Sequence, residues 1–552
     1  MDRLRLALKD GRYIEVEKGT RVIDIITKHN LRNEVPLMLG KINNNYIELT
    51  SELNEEGSFE AIDITDRIGM KAYVRTLQFI LIKAVYDLFP EAKVTIEHSL
   101  SKGIFGEIHK TPALDSEDII KIKKKMQEII YKNITINKIY VSKEEAVRIF
   151  MSYGMADKVS LLEHVDMQRF KLYEIEGRYD YFYGFMASST GEAKVFDLMF
   201  YEPGFLLRFP AEENPMEIPT FIERKKLSKI FYETEQWGNI LGVGDVGSLN
   251  DKVENGDIIN IIRVAEALHE KKIAYIADMI NDRKEVKVVL IAGPSSSGKT
   301  TFAKRLGIQL RVNGHMPIPI SLDDYFVDRE HTPLDEEGSP DFESLYALDL
   351  ELFNRHLNEL MEGNEVEIPT FNFKTGKREW NGEKLCIPKN GIIVIEGIHG
   401  LNDLLTSAIS PESKFKIYIS ALTQLNLDDH NRIATTDVRI IRRIVRDYLS
   451  RGYGGEQTLT MWPSIRRGEE KNIFTFQEEC DVMFNSTLVY ELCVLKKFAI
   501  EELSKVKSDS PAFYDAGKLK SFLSFFKEVD MELVPENSIL REFIGGSCFY
   551  KY

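Results

Sequence analysis

The chain has 552 residues, 43% hydrophobic and 29% charged, with a formal net charge of −15. That length exceeds one ordinary core and predicts two to four domains of soluble globular composition. The acidic balance argues against broad electrostatic binding to nucleic acid or an anionic membrane, and no apolar run approaches the roughly 20 residues that cross a bilayer.

Residues 1–62 read as short strands joined by turns, with Asp10-Gly11 between LRLAL and YIEVEKGT and a helix from Arg21 to His29: a compact α+β module. GMKAYVRTLQFILIKAVYDL at 69–88 repeats apolar residues at helical spacing, and Pro90 follows its end. AKVTIEHSL predicts a strand, and residues 115–130 a second amphipathic helix with Lys121 and Lys123–Lys125 on a solvated face. Residues 140–215 predict a mixed α+β region with strands in YDYFYGFMAS and AKVFDLMFYE. Residues 225–283 predict helices bridging to the second half, with LGVGDVGSLN at 241–250 as a loop. No strong strand precedes Gly242, Gly244 and Gly247, so they do not make a dinucleotide fingerprint. Residues 506–552 predict one helix, Ala516–Val529, and then an irregular tail. Four scattered cysteines without a CxxC spacing suit reduced thiols, and MDRLRLALKDGRYIEV lacks the apolar core of a signal peptide. The expectation is a cytoplasmic protein.

The sharpest motif is Gly293-Pro294-Ser295-Ser296-Ser297-Gly298-Lys299-Thr300, followed by Thr301. It follows the apolar run Val286–Ala292 and opens the helical stretch FAKRLGIQL, the strand–loop–helix setting that a phosphate-binding loop requires. Glycines let successive N–H groups face one anion, and the helix N-terminus adds its positive dipole end. Lys299 supplies a point charge to the β and γ phosphates of ATP, and the Thr300 hydroxyl suits Mg²⁺. MPIPISLDDYF and NGIIVIEGIHG then predict two more strands, ending at Asp323-Asp324 and at Glu396. In an open parallel sheet both would converge on the loop. This makes Asp323 the candidate base, with a water-mediated hold on the metal, and Glu396 the metal-side carboxylate. Arg439, Arg442, Arg443 and Arg446 fall mostly along one face of a predicted helix and suggest a mobile arginine lid.

These residues resemble the uridine kinase and phosphoribulokinase group of P-loop kinases. The loop, SLDDY, VEIPTFNFKTGKR, IIVIEG and RRIVRDYLSRG stand in that family's order. The resemblance implies an α/β fold with a parallel sheet flanked by helices over 285–505, catalysis by Asp323 and Lys299, and metal roles for Thr300 and Glu396. It also implies phosphate contacts from Arg446 and Arg451, and substrate contacts from Glu343, Phe371 and Arg443. The acceptor implied is a small hydroxyl compound, favouring the 5′-hydroxyl of a nucleoside. Phe371 stands where uridine kinases have tyrosine, Gly376 where they have histidine, and Tyr453 where an arginine is expected. Lys374, Lys377 and Arg378 leave a phosphorylated sugar open as acceptor.

Residues 1–62 resemble a TGS domain, and 63–224 the editing domain that follows it in threonyl-tRNA synthetases, the latter carried by LFPEAKVTIEHSLSKGIFGEI. Arg75 and Phe79 occupy the places of that domain's paired histidines, and His98, His109 and His164 do not restore the spacing. The resemblance therefore implies a binding or regulatory module, with RNA, a nucleotide or a second copy of the chain as its partner. A helical linker, 225–284, and a C-terminal tail, 506–552, complete the expected organisation.

Overall fold

The computed structural model describes residues 3–32, 34–335, 338–423 and 425–550. The first strands, β1 (Arg3–Leu8), β2 (Tyr13–Glu17), β3 (Leu37–Ile42), β4 (Asn45–Glu48) and β5 (Gly57–Asp63), form one sheet in the order β2-β1-β5-β3-β4. Alternation along β1 buries Leu4, Leu6 and Leu8 on one face, against which helix α1 (Val22–Lys28) lays Val22, Ile25 and Ile26.

Helix α2 (Arg67–Leu88) starts where Asp66 accepts hydrogen bonds from the Ile68 and Gly69 amides. It is the spine of the next region, which adds β6 (Lys93–Leu100), β7 (Gly103–His109), α3 (Ser116–Tyr131), β8 (Asn137–Ser142), α4 (Lys143–Ser152) and α5 (Ala156–Glu163). The strands β9 (Arg169–Ile175), β10 (Arg178–Asp180), β11 (Asp197–Tyr201) and β12 (Gly204–Arg208) complete it. They form two antiparallel sheets, β11-β12-β7-β6 and β10-β9-β8. The strand expected through YDYFYGFMAS stops at Asp180. Beyond it, the Asn431 side chain takes the Tyr181 carbonyl and the Tyr183 amide, where a neighbouring strand would otherwise pair.

Helices α6 (Lys225–Leu241), α7 (Val246–Glu254) and α8 (Ile258–Asp282) follow. The expected loop at 241–250 is shorter than predicted, because Asp245 and Ser248 form a capping box that starts α7. These helices are packed rather than a free bridge. Glu266 and Glu270 of α8 grip Arg305 at 3.1 and 2.7 Å.

The second half contains β13 (Val288–Ala292), α9 (Lys299–Val312), β14 (Met316–Ser321), α10 (Leu350–Met361), β15 (Val366–Asn372), β16 (Lys377–Leu385) and β17 (Gly391–Glu396). It continues with β18 (Lys414–Ser420), β19 (Asn426–Asp428), β20 (Asn431–Arg432), α11 (Thr435–Arg446), α12 (Gly455–Asn472), β21 (Val482–Asn485) and α13 (Glu491–Leu503). Five strands form a parallel sheet in the order β14-β17-β13-β18-β21. Its central strand, VVLIA, is buried throughout, as a strand covered on both faces must be. The fold is α/β here, preceded by α+β regions.

The C-terminal segment departs from the expected irregular tail. Helix α14 (Phe513–Leu523) and the short α15 (Arg541–Ile544) pack into the same core as the parallel sheet, with Leu540 and Phe543 fully buried. The two halves meet at the β19–β20 hairpin. There the Ile96 amide donates to the Asp429 carbonyl at 2.8 Å, and buried Lys158 bridges Asp180 (3.1 Å) and Asp428 (2.8 Å). His430 joins Asp180 at 2.6 Å. Among the described residues, no helix is long and apolar enough to cross a membrane.

Candidate active site

The phosphate loop leaves β13 through Gly293, where a Cβ would lie 1.9 Å from the Ile419 carbonyl oxygen. At Gly298, with φ +85°, a Cβ would lie 2.5 Å from a methyl of Ile539. Ser296 holds φ +59°. That left-handed conformation costs a residue with a side chain about 1–3 kcal/mol and concentrates at ligand-binding sites. The hydroxyls of Ser296 and Ser297 are buried without a hydrogen-bond partner. Helix α9 begins at Lys299, so its first-turn N–H groups have no intrahelical acceptor and call for one from outside the helix. Lys299 itself folds back, donating to the Pro294 carbonyl at 3.3 Å.

Strands β14 and β17 are neighbours in register, with Ser321 opposite Glu396, so their carboxyl ends converge as the sequence suggests. Thr300 and Ser321 both donate to one oxygen of Glu396, at 3.3 and 3.2 Å. Burial, and then the charge of Asp323, push the Glu396 carboxyl up to about 7. Asp323 and Asp324 sit on the single turn that follows β14. Asp324 accepts the Phe371 amide at 3.2 Å and so fixes β15; burial raises it to about 6. The Asp323 charge bears on Glu396, Glu343 and Arg451. The oxygens of Thr300, Ser321 and Glu396 are the donor chemistry that Mg²⁺ takes.

One oxygen of Glu343 is shielded from solvent and has no hydrogen-bond partner. Burial, and then Glu469, push its carboxyl up to about 7, while Arg443 and Lys299 pull the other way. Phe371 is buried and packs against Phe326 (5.6 Å) and Phe373 (5.2 Å). At Gly376 the Arg329 side chain fills the room a larger residue would need, and its guanidinium donates to the Phe373 carbonyl at 2.8 Å. Arg378 is engaged by Asp349 at 2.9 Å, and Lys374 and Lys377 are exposed.

Helix α11 differs from the expected lid. Arg439 and Arg442 are fully buried and donate to the carbonyls of Ser295 (3.0 Å) and Ser296 (3.3 Å). A loop that turns its N–H groups toward an anion turns its carbonyls away, and those carbonyls need donors. Glu469 pairs with Arg439, and Glu491 with Arg442. Arg443 donates to the Ser295 hydroxyl at 2.6 Å. Arg446 and Arg451 both approach Asp447 at 3.4 Å, on a π-helical turn over Asp447–Arg451 that ends at Gly452. Repulsion from Arg446, and then burial, lower Arg451 to about 10.

Four further residues, none singled out from the sequence, take part. Asp447 gathers the arginines, and Glu469 accepts the Ser295 amide at 2.9 Å. Glu542, from the segment read as a tail, accepts both the amide (3.1 Å) and the hydroxyl (3.0 Å) of Thr301. Tyr550 meets the same hydroxyl at 2.8 Å.

In the first half, Arg75 donates to the Phe185 carbonyl at 2.6 Å, and Phe79 is buried against Phe182. His98 stacks on Phe231 at 3.7 Å, His164 meets Asp251 at 2.9 Å, and His109 is exposed beside Glu107. The histidines are dispersed.

Residues 288–489 match the Phosphoribulokinase / Uridine kinase family. A domain of that kinase family forms the C-terminal part of the chain. The N-terminal part is similar to threonine–tRNA ligases. It is 30% identical to that of Clostridium tetani over 197 residues, 36% of this chain and 31% of the ligase. It is 27% identical to threonine–tRNA ligase 1 of Bacillus subtilis over 199 residues, again 36% and 31%. The chain thus spans about a third of the length of these relatives. A solved protein described as a possible uridine kinase, from Bacillus stearothermophilus, is 20% identical over 39% of this chain and 98% of its own, with a TM-score of 0.27.

Proposed function

We propose that the kinase domain transfers the γ-phosphoryl group of ATP to a hydroxyl of a small acceptor, with the 5′-hydroxyl of a nucleoside favoured. The observation that carries this reading is the convergence, at one end of the parallel sheet, of the α9 N-terminus, the Thr300–Glu396 oxygens and Asp323. The loop amides and Lys299 bind the phosphates of ATP, and Asp323 accepts the proton of the attacking hydroxyl. Glu343 and Arg443 orient the acceptor, with Phe371 beneath it. Arg446 and Arg451 neutralise charge on the transferring group as Asp447 releases them. Thr300 and Glu396 would hold Mg²⁺, with Asp323 acting through water, and the ion would neutralise phosphate charge there.

A phosphorylated acceptor needs a second basic cluster, and the Arg378–Asp349 pair disfavours one at that place. In the same reading, residues 1–62 are a TGS-like module and 63–224 an editing-like module without hydrolytic function, in a cytoplasmic protein. ADP release by the full chain with Mg-ATP, across nucleosides, pentose phosphates and a no-acceptor control, tests the reading. Strong stimulation by one nucleoside is expected. Equal release without an acceptor would replace transfer by a regulatory ATP hydrolysis.

A further inference from the structure

A cleft of about 1080 Å³ opens between α2, the connection after β12, the start of α11 and α14. Its volume is that of a small-molecule site, for which about 300–1,000 Å³ is usual. Seven Lys and Arg side chains line it, against four carboxylates, in a chain whose net charge is −15. Two of the carboxylates are already engaged: Asp437 by Lys518 at 2.6 Å and Glu470 by Arg466 at 2.7 Å. Among the described residues, Lys71, Arg224 and Arg432 have no ion pair, although all three are partly buried. Repulsion from Lys518, and then burial, lower Lys71 to about 7, with Arg67 adding to the effect and Asp437 and Asp515 opposing it. Burial lowers Arg432 as well. Cations crowded in this way, short of counter-charge, are relieved by an anion.

We propose that this cleft is a binding site for a small phosphorylated metabolite, held by Lys71 and Arg432 with Arg224 at the mouth. The chemistry is independent of the phosphate loop and does not rest on the kinase reading. The cleft joins both halves of the chain: Lys71 comes from α2, and Arg432 and Asp437 from the β20–α11 segment. The following turns of α11 brace the phosphate loop through Arg439, Arg442 and Arg443. A ligand that competes with Asp437 for Lys518 therefore acts at the head of the helix that supports the loop. Dense phosphate polymers such as RNA fit less well, given the chain's acidic charge.

Pyridoxal 5′-phosphate is the probe, because it carries both a phosphate and an aldehyde that captures a neutral amine. The Lys71 Nζ adds to the aldehyde, water leaves, and borohydride hydride reduces the resulting imine to a stable secondary amine. The full chain is treated with one equivalent near pH 7.5, reduced and mapped by peptide mass spectrometry. Lys71 is expected as the principal labelled residue. Millimolar inorganic phosphate should protect it, and chloride at equal ionic strength should not. Labelling should fall at least tenfold in Arg432→Ala, be restored in Arg432→Lys, and persist in Lys299→Ala. Label that falls mainly on Lys299 or spreads over exposed lysines overturns the site. Protection by a short RNA hairpin at concentrations a hundredfold below phosphate overturns the small-metabolite assignment.

Discussion

At the phosphate loop, anion recognition is written in main-chain geometry: consecutive amides, a left-handed Ser296 and a helix start, all within nine residues. In the cleft beside α2 it is written in side chains brought together from positions as far apart as 71 and 518. In the first arrangement the side chains stand around the loop rather than form it; Arg439 and Arg442 hold its carbonyls from behind. The second depends on the two halves of the chain keeping their places. Chemistry and coupling are therefore separable. A substitution at the loop should remove turnover without disturbing the cleft, and one at the contact between halves should do the reverse.

The largest effect expected on the chemical side is that of Asp323→Asn. General-base catalysis is worth about 10²–10⁴-fold, so acceptor-dependent ADP release should fall by about that factor. Nucleotide affinity, measured by titration, should stay within about threefold of the parent. Near-normal turnover would take Asp323 out of the base role and leave the loop as a binding device. On the coupling side, Lys158→Met removes the ammonium between Asp180 and Asp428, both fully buried, and leaves His430 on Asp180 and the Asn431 amide groups on Asp428. Stranding a buried charge costs about 3–5 kcal/mol. A lower urea midpoint is expected, with the extrapolated unfolding free energy reduced by that amount and the first half released before the parallel sheet unfolds. An unchanged midpoint would mean that the halves are held by apolar packing alone.

The same contrast explains what could be read beforehand. The loop, Asp323 and Glu396 were legible because strand–turn–helix periodicity and the strand ends fix their positions locally, and parallel pairing then brings Ser321 opposite Glu396. Arg439 and Arg442 were misplaced as lid residues. Helical spacing gives the face they share, but not what covers it, and here the cover is the loop's own carbonyls. Glu542 and Tyr550 were illegible for a different reason: no local pattern marks residues 241 and 249 positions downstream as packing on α9. The truncated strand after Asp180 likewise depends on Asn431, a long-range contact that propensity does not register.

Glu343 gives a pH test of intermediate size. Its carboxyl is pushed up to about 7, so it is protonated below that pH and charged above it. If the charged form accepts the acceptor's hydroxyls, kcat/KM for the acceptor rises as pH increases through about 7. It should fall about tenfold for each pH unit below that value, and Glu343→Gln should flatten the profile. The stability sign is opposite. The native state holds this proton at pH values where the unfolded chain has lost it, so the group's contribution to stability declines as pH climbs toward 7. A profile still falling below pH 7 in Glu343→Gln would move the titration to another group.

The smallest effect expected belongs to Glu542. Its carboxylate takes the Thr301 amide and hydroxyl in the first turn of α9, where a phosphate would otherwise find a donor. A negative charge beside a helix N-terminus is worth about 0.3–1 kcal/mol to the empty helix. A phosphate arriving at the same turn must displace that carboxylate or endure its repulsion. Glu542→Gln keeps the shape and a weaker acceptor but removes the charge, so the Kd for Mg-ATP should tighten by about two- to fivefold, while the cleft's capture of pyridoxal 5′-phosphate stays unchanged. If the affinity weakens instead, Glu542 orients the helix start for the nucleotide rather than competing with it, and the C-terminal segment is part of the binding site's frame.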